Sequence, residues 1–541
     1  LAHMQRNIGL LGLTFVAVSG TLGSGWLFAP LLAAQMAGPA AVLAWVLGGL
    51  AVLLLAVTYA EISTLLPVAG GIGRIPHFSH GSVVSVMMGW TAWVGYTAGT
   101  AVEVEAILRY STGIAPWLYN GTKLTLAGQI TSCALLAFFV VVNAIGVRFF
   151  TQLNTGLTWI KIFFPALLVV VIVSTDFNTA NFGGQSGFAP AGAHGILTAV
   201  SAGGVVFSLI GFRQIIDMAG EAKNPKVNIP LALVFSIVIC VLIYAGLQVA
   251  FVGAVDVNDL ANGWSGLHFP SELAPMALIA TAAGGVWLGS VMNMTARLSS
   301  FAAGLVNFGS TARLGMAMAH NGLFPPFMQK LSSRGVPLMS LAVSYLATSA
   351  LFFALPFNQV VTLTTASLVL SFAAGPVSVV VFRKLLPDAP RSFKLPFVQL
   401  TAGAAFVVAT LIIYWTGWAS MLHLSLSVLA GLGIMLVSRS FGAVERLDWR
   451  SAAWLGPYIA GIIIFSYLGS FGGGTGILPM GVDMAVIAVF AVIIFIWAVR
   501  SGLSQDQFDT YMRQEQRFEV IEYGRDETPD FVDKVKLDGS R

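Results

Sequence analysis

The chain has 541 residues, of which 57% are hydrophobic and only 9% are Asp, Glu, Lys or Arg, against about 25% in an average soluble domain. That composition excludes a disordered chain, a coiled coil and an ordinary soluble enzyme. Residues 1–500 hold 21 Lys/Arg and 13 Asp/Glu, while the last 41 hold 6 and 10, so the formal +4 is a basic body with an acidic tail. The basic excess reads as loop topology, and no nucleic-acid partner is expected.

Leu1-Ala2-His3 ahead of Met4 reads as an added remnant. The first apolar run lacks a basic leader and a small-residue cleavage site, so a retained span is expected rather than a signal peptide. Apolar runs near 20 residues recur from Ile8 to Val499, which fits helical spans and not the alternating strands of a barrel. Fourteen spans are expected, at 8–35, 40–62, 83–108, 126–146, 150–174, 194–220, 230–253, 284–311, 337–355, 359–382, 397–417, 420–438, 452–471 and 482–500. With the N-terminus inside, inner loops and span ends collect sixteen Lys/Arg between Arg6 and Arg500, and outer loops only Arg109 and Lys123. That bias predicts an even span count and both termini in the cytoplasm. Cys133 and Cys240 each lie in an apolar run, so no disulfide framework, metal site or cofactor is expected.

Span 1 contains Gly20-Thr21-Leu22-Gly23-Ser24-Gly25, poor helix material at mid-span. Backbone freed there must line a cavity or be covered by protein, and the N–H groups of a half-helix suit a carboxylate. The bland alternative is close packing through small residues. Glu61 ends span 2 at the inner boundary and reads as structural. In span 3, Glu105 and Arg109 are spaced for a local pair, whereas Glu103 has no such partner and is a candidate proton carrier. Lys161 lies mid-span in span 5, near Asn154 and Thr158, where a charge costs roughly 2.5–3.5 kcal/mol on insertion scales. It is either a proton-exchanging group or a fixed structural cation paired with Glu103. Span 6 is interrupted at Phe207-Ser208-Leu209-Ile210-Gly211-Phe212-Arg213. Paired interruptions in spans 1 and 6 point to a transporter site between two halves, spans 1–5 and 6–10, related by inversion. Arg213 can contact a substrate carboxylate, or pair with Asp217 and Glu221. Arg297 in span 8 either serves a second carboxylate or pairs with Glu103 or Glu105. Ser299 and Asn307 in span 8 and Thr365 in span 10 are possible cavity-lining residues, or bond the preceding helical turn.

These motifs resemble the amino acid–polyamine–organocation (APC) superfamily. Gly23-Ser24-Gly25-Trp26-Leu27-Phe28 is similar to its first-span motif. Further likenesses are Tyr59-Ala60-Glu61-Ile62-Ser63 with Pro67-Val68-Ala69-Gly70-Gly71, Ala219-Gly220-Glu221-Ala222-Lys223-Asn224-Pro225, and Ala317 to Pro325. Gly71-Ile72, Ser79-His80-Gly81 and Phe465 to Gly472 carry a narrower likeness to the fourteen-span bacterial aspartate–proton symporters. The resemblance implies an all-α polytopic membrane protein with a five-plus-five inverted-repeat, leucine-transporter-like core. Residues 4–382 would be the transport core, 383–500 four peripheral spans and 501–541 a cytoplasmic tail, in a bacterial inner membrane. It also implies an amino acid between the two breaks. The α-carboxylate would meet N–H groups of Gly23, Ser24 and Gly25 and the Ser24 hydroxyl. The α-ammonium would meet carbonyls at Thr21, Phe207 and Ile210, with Ser208 among the contacts and Phe207 as an aromatic lid. Lys161 would stand where sodium sits in sodium-coupled relatives, bridging spans 1, 5 and 8.

The leading expectation is proton-coupled symport of an acidic amino acid, aspartate or glutamate, by a monomer or weak homodimer that needs only substrate, protons and a lipid bilayer. An exchanger, or a carrier of neutral amino acids or amines, is the alternative, and a nutrient sensor with a signalling tail is a third class. The tail is too short for a catalytic domain and reads as a solvated segment. No His-Glu-x-x-His, Gly-x-Ser-x-Gly or phosphate loop occurs, so an enzyme is not expected.

Overall fold

The computed structural model describes residues 8–66, 71–145, 147–184, 187–217, 219, 222–269, 274–320, 324–330, 332, 336–389, 391, 393–440 and 448–513, with the side chains of 147–156, Asp217 and His320 left aside. Expectations that rest on the side chains of Asn154, Asp217 or Glu221, or on the acidic tail past 513, lie outside these residues. The chain is an all-helical membrane protein.

The helices in order are α1 (Leu10–Thr21), α2 (Gly25–Ala37), α3 (Ala41–Leu65), α4 (Gly71–His80), α5 (Ser82–Arg109), α6 (Leu126–Ile145) and α7 (Val147–Thr175). Then come α8 (Gly192–Ser201), α9 (Val205–Leu209), α10 (Arg213–Asp217), α11 (Pro225–Ala254), α12 (Pro275–His320), α13 (Leu338–Ala354), α14 (Phe357–Phe372) and α15 (Ala374–Leu385). The last are α16 (Val398–Trp415), α17 (Trp418–Ser440), α18 (Trp449–Ala452), α19 (Leu455–Leu468) and α20 (Val482–Arg500). A hairpin of Tyr119–Asn120 and Lys123–Leu124 is the only sheet among the described residues.

By length and apolarity ten of these helical stretches can cross a bilayer, and the pair Gly192–Ser201 and Val205–Ile216, bent by 46°, makes an eleventh. The expected span 284–311 is instead the long helix α12, kinked at Gly285 (φ 78). The helix begins at Pro275, on the apolar stretch ahead of the kink, and runs on to His320. The bend in the α8–α9 pair falls at Gly204, whose φ of 83 carries no penalty without a Cβ.

Burial sorts the helices. Residues 363–382 are buried throughout, and α5 packs along both α12 and α14 at the centre. Peripheral helices expose large apolar side chains, including Leu50, Phe163, Val286, Leu346, Leu426 and Val489, as a bilayer requires.

Two polar clusters tie the helices at the end of the bundle that carries α4. Glu61 at the end of α3 accepts Arg383 Nε at 2.7 Å, Arg383 Nη2 at 2.8 Å, Arg391 Nε at 3.1 Å and the Leu395 amide at 2.7 Å. It therefore clamps the 383–395 connection, consistent with its structural reading. Near α4, the start of the tail is not simply solvated. Residues 505–513 are helical, Phe508 is 2% exposed, and Tyr511 hydrogen-bonds Asp448 and meets His77 edge-on at 4.5 Å. The Leu503 amide donates to Ser79 O at 2.9 Å. The cause is an apolar stripe of Phe508, Tyr511 and Met512 within a charged stretch.

Removing one partner of a buried ion pair costs about 3–5 kcal/mol. Glu61→Gln is therefore expected to lower the thermal unfolding temperature in detergent clearly, while Asp506→Asn on the exposed face of the tail helix leaves it unchanged.

Candidate functional site

The site forms where α1 stops at Thr21 and α2 starts at Gly25. The break frees carbonyls at the end of α1 and amides at the start of α2, and each set finds partners inside the protein. Ser19 O accepts Lys161 Nζ from α7 at 3.1 Å. Thr21 O accepts the Tyr244 hydroxyl from α11 at 2.8 Å, and the Gly23 amide at 2.9 Å. Leu22 O and Gly23 O accept the Ser299 hydroxyl from α12 at 2.9 and 3.3 Å. On the other side of the break, the Ser24 amide donates to Glu103 Oε1 from α5 at 3.1 Å. A buried cation thus stands at the carbonyl end of one half-helix, and a buried carboxylate at the amide end of the other. Lys161 and Glu103 also lie close enough for their charges to attract.

The second break is packed against the first. A Cβ at Gly211 would lie 2.5 Å from the Thr21 backbone N, and one at Gly23 only 2.4 Å from Glu103 Oε1. The two breaks border a small cavity of about 20 Å³. Gly20, Thr21 and Gly25 line it from the first break, and Phe207, Ile210, Gly211 and Arg213 from the second. Gly99 and Glu103 come from α5, Asn307 from α12 and Thr364 from α14.

Arg213 is 5% exposed and does not rely on a carboxylate among the described side chains. Its Nη2 donates to Asn307 Oδ1 at 2.7 Å, and its Cζ lies 4.0 Å from the Tyr96 ring centroid. Arg213 Nη1 is buried with no hydrogen-bond partner. The Ser24 and Ser300 hydroxyls stand beside the buried Glu103 carboxylate. The cavity wall thus carries one cation, Arg213, and one carboxylate, Glu103.

Several expectations shift. Arg297 does not meet Glu103 or Glu105; its Nε donates to Asn293 O at 3.0 Å in its own helix. Glu105 does not pair with Arg109 but lies against the Tyr119 hydroxyl, 3.5 Å from Oε2, while Arg109 stacks on aromatic rings. Thr365 bonds Val361 O at 3.2 Å, and its neighbour Thr364 faces the cavity. Ser299 holds the first break rather than lining the cavity. The Thr21 and Ile210 carbonyls, expected to face an ammonium, already accept internal donors. Tyr96 and Tyr244 escaped the sequence reading, because a tyrosine in an apolar run gives no signal of what its hydroxyl or ring will hold.

A family model described as "Amino acid permease" matches residues 8–418. The chain is 34% identical to the aspartate-proton symporter of Bacillus subtilis, over 94% of this chain and 98% of that one. It is 33% identical to the glutamate/serine transporter AimA of the same organism, over 92% and 94%. The branched-chain amino acid permease BcaP, also from Bacillus subtilis, is 25% identical over 82% and 95%.

A Cβ at Gly211 meets backbone, which cannot yield, whereas one at Gly246 meets Val169 at an ordinary 3.7 Å. Overpacking costs about 1–3 kcal/mol. Gly211→Ala is expected to lose most amino acid uptake while reaching the membrane in normal amount, and Gly246→Ala to keep it.

Proposed function

The chain belongs to the amino acid permease family, and from that premise we propose that it is a proton-coupled symporter of an acidic amino acid. The observation that carries this reading is the Glu103 carboxylate on the Ser24 amide. The break in the first span already binds a carboxylate, and that carboxylate is one the protein can give up.

In this mechanism the substrate α-carboxylate takes the amides of Ser24 and Gly25 and the Ser24 hydroxyl in place of Glu103, while the Gly23 amide stays on Thr21 O. Glu103 is displaced, and a proton neutralises it, because an unpartnered charge in the interior is costly. That proton is the coupled ion. Lys161 holds the Ser19 carbonyl while Ser299 holds Leu22 and Gly23, so the first, fifth and eighth spans are joined without sodium. Arg213, fixed by Asn307 and Tyr96, turns its free Nη1 to the side-chain carboxylate of the substrate. Phe207, whose ring centroid is 5.7 Å from that of Phe28, serves as the lid. The setting is a fourteen-span chain in a bacterial inner membrane, with both termini cytoplasmic and spans 1–5 and 6–10 as inverted halves that rock about the site. The relative named for glutamate and serine, at nearly the same identity, favours a second reading in which neutral amino acids share the site.

In proteoliposomes, aspartate uptake is expected to follow an imposed pH gradient and ignore sodium. Lys161→Ala should abolish the response to the gradient with protein still inserted. Arg213→Ala should weaken aspartate uptake roughly tenfold or more, the scale of a lost charge-assisted contact, and leave serine uptake within about twofold. Sodium-dependent uptake, or an equal loss for aspartate and serine, contradicts the scheme.

A further inference from the structure

A column of side chains leads out of the cavity at the end of the bundle opposite the tail helix, the outer end in the proposed orientation. Phe207 on the cavity wall packs on Phe28, and Phe28 meets Phe357 edge-on with centroids 5.0 Å apart. The guanidinium of Arg109 caps the column, its Cζ 3.9 Å from the Phe357 centroid. Tyr119 lies 5.6 Å away on another side.

This cation rests on ring faces and on the Tyr119 side chain, with Glu105 attracting it from one turn away but making no ion-pair contact. Glu105, one turn earlier on α5, leans on the Tyr119 hydroxyl, and Arg109 Nε is buried with no hydrogen-bond partner. Lys123, the other basic residue assigned to this end, sits exposed in the hairpin whose other strand carries Tyr119. A guanidinium resting on an aromatic ring gives up a contact that is weaker than a bidentate carboxylate contact. When Phe357 parts from Phe28 to admit substrate, Arg109 is the first cation the substrate meets.

We propose that Arg109 is a specificity-determining entry residue. It captures the side-chain carboxylate of an incoming acidic amino acid above the aromatic column and returns to Phe357 when the column closes. Glu105 opposes that capture by its like charge, so an anion is held only briefly and passes on towards Arg213. This inference rests on the acidic-substrate reading above.

The test is the initial rate of labelled aspartate uptake into proteoliposomes at low and high ionic strength. For the wild-type protein KM should rise with salt, because Arg109 is half-buried and its charge is still reached by solvent ions. Arg109→Gln should raise KM roughly tenfold at low salt and flatten the salt dependence, with kcat little changed, as for loss of a steering charge. Arg109→Lys should keep the salt dependence, and Glu105→Gln should lower KM by about two- to threefold for the same electrostatic reason. A structural role for Arg109 predicts instead that kcat and protein level fall together, for aspartate and serine alike, with the salt dependence retained. That result, or an unchanged KM in Arg109→Gln, overturns the inference while leaving the acidic-substrate reading in place. A wild-type protein that takes up serine but no aspartate overturns that reading, and this inference with it.

Discussion

A helix broken inside a bilayer leaves backbone groups that water cannot reach, and the rest of this structure is arranged around satisfying them. The carbonyl end of α1 is served by Lys161, Tyr244 and Ser299, which come from three other helices. The amide end of α2 is served by Glu103 from a fourth. Each unsatisfied group there would cost several kcal/mol, so these contacts fix where α5, α7, α11 and α12 must stand. The two charges also match the half-helix dipoles, cation to carbonyl and carboxylate to amide.

The same arrangement explains why the site can change state. A neutral cap on the amide end would satisfy the backbone permanently. A carboxylate satisfies it only until another carboxylate arrives, and the displaced one must then find a proton or a cation. The second break lies against the first with glycine at Gly211, so the relation between the two half-helices is tight and has few intermediate positions. Arg213, on the cavity wall, is held on one side by Asn307 and a ring face, and its Nη1 is buried with no hydrogen-bond partner. The carbonyls of Thr21 and Ile210 are already occupied, so an ammonium group must displace a donor or share a lone pair. That shifts the expected recognition towards the carboxylates of the substrate.

Much of the site was legible in the sequence, because glycines and charges in hydrocarbon are costly and need a reason. Gly23-Ser24-Gly25, Lys161, Glu103 and Arg213 stood out on that ground; Gly25, Glu103 and Arg213 line the cavity, while Lys161 holds the Ser19 carbonyl behind the break. What the sequence could not supply is which partner each group takes. Helical spacing suggested that Glu105 would pair with Arg109 and that Arg297 would seek a carboxylate. Tertiary packing overrode both, since aromatic faces and a carbonyl of the same helix were nearer. The tail read as solvated from its charge, yet three apolar side chains dock its first turns. For the fold, apolar runs placed the helices well, but α12 runs past both expected ends, from Pro275 across the Gly285 kink to His320.

The exchange of carboxylates on the Ser24 amide is the centre of this account, and it can be observed directly. Infrared difference spectra of the reconstituted protein, recorded on adding aspartate, report carboxyl groups that gain a proton. The account predicts a new protonated-carboxyl band that shifts in deuterium oxide, appears with aspartate and is missing in Glu103→Gln. A spectrum with no such band on saturating aspartate, or a band that survives in Glu103→Gln, contradicts it.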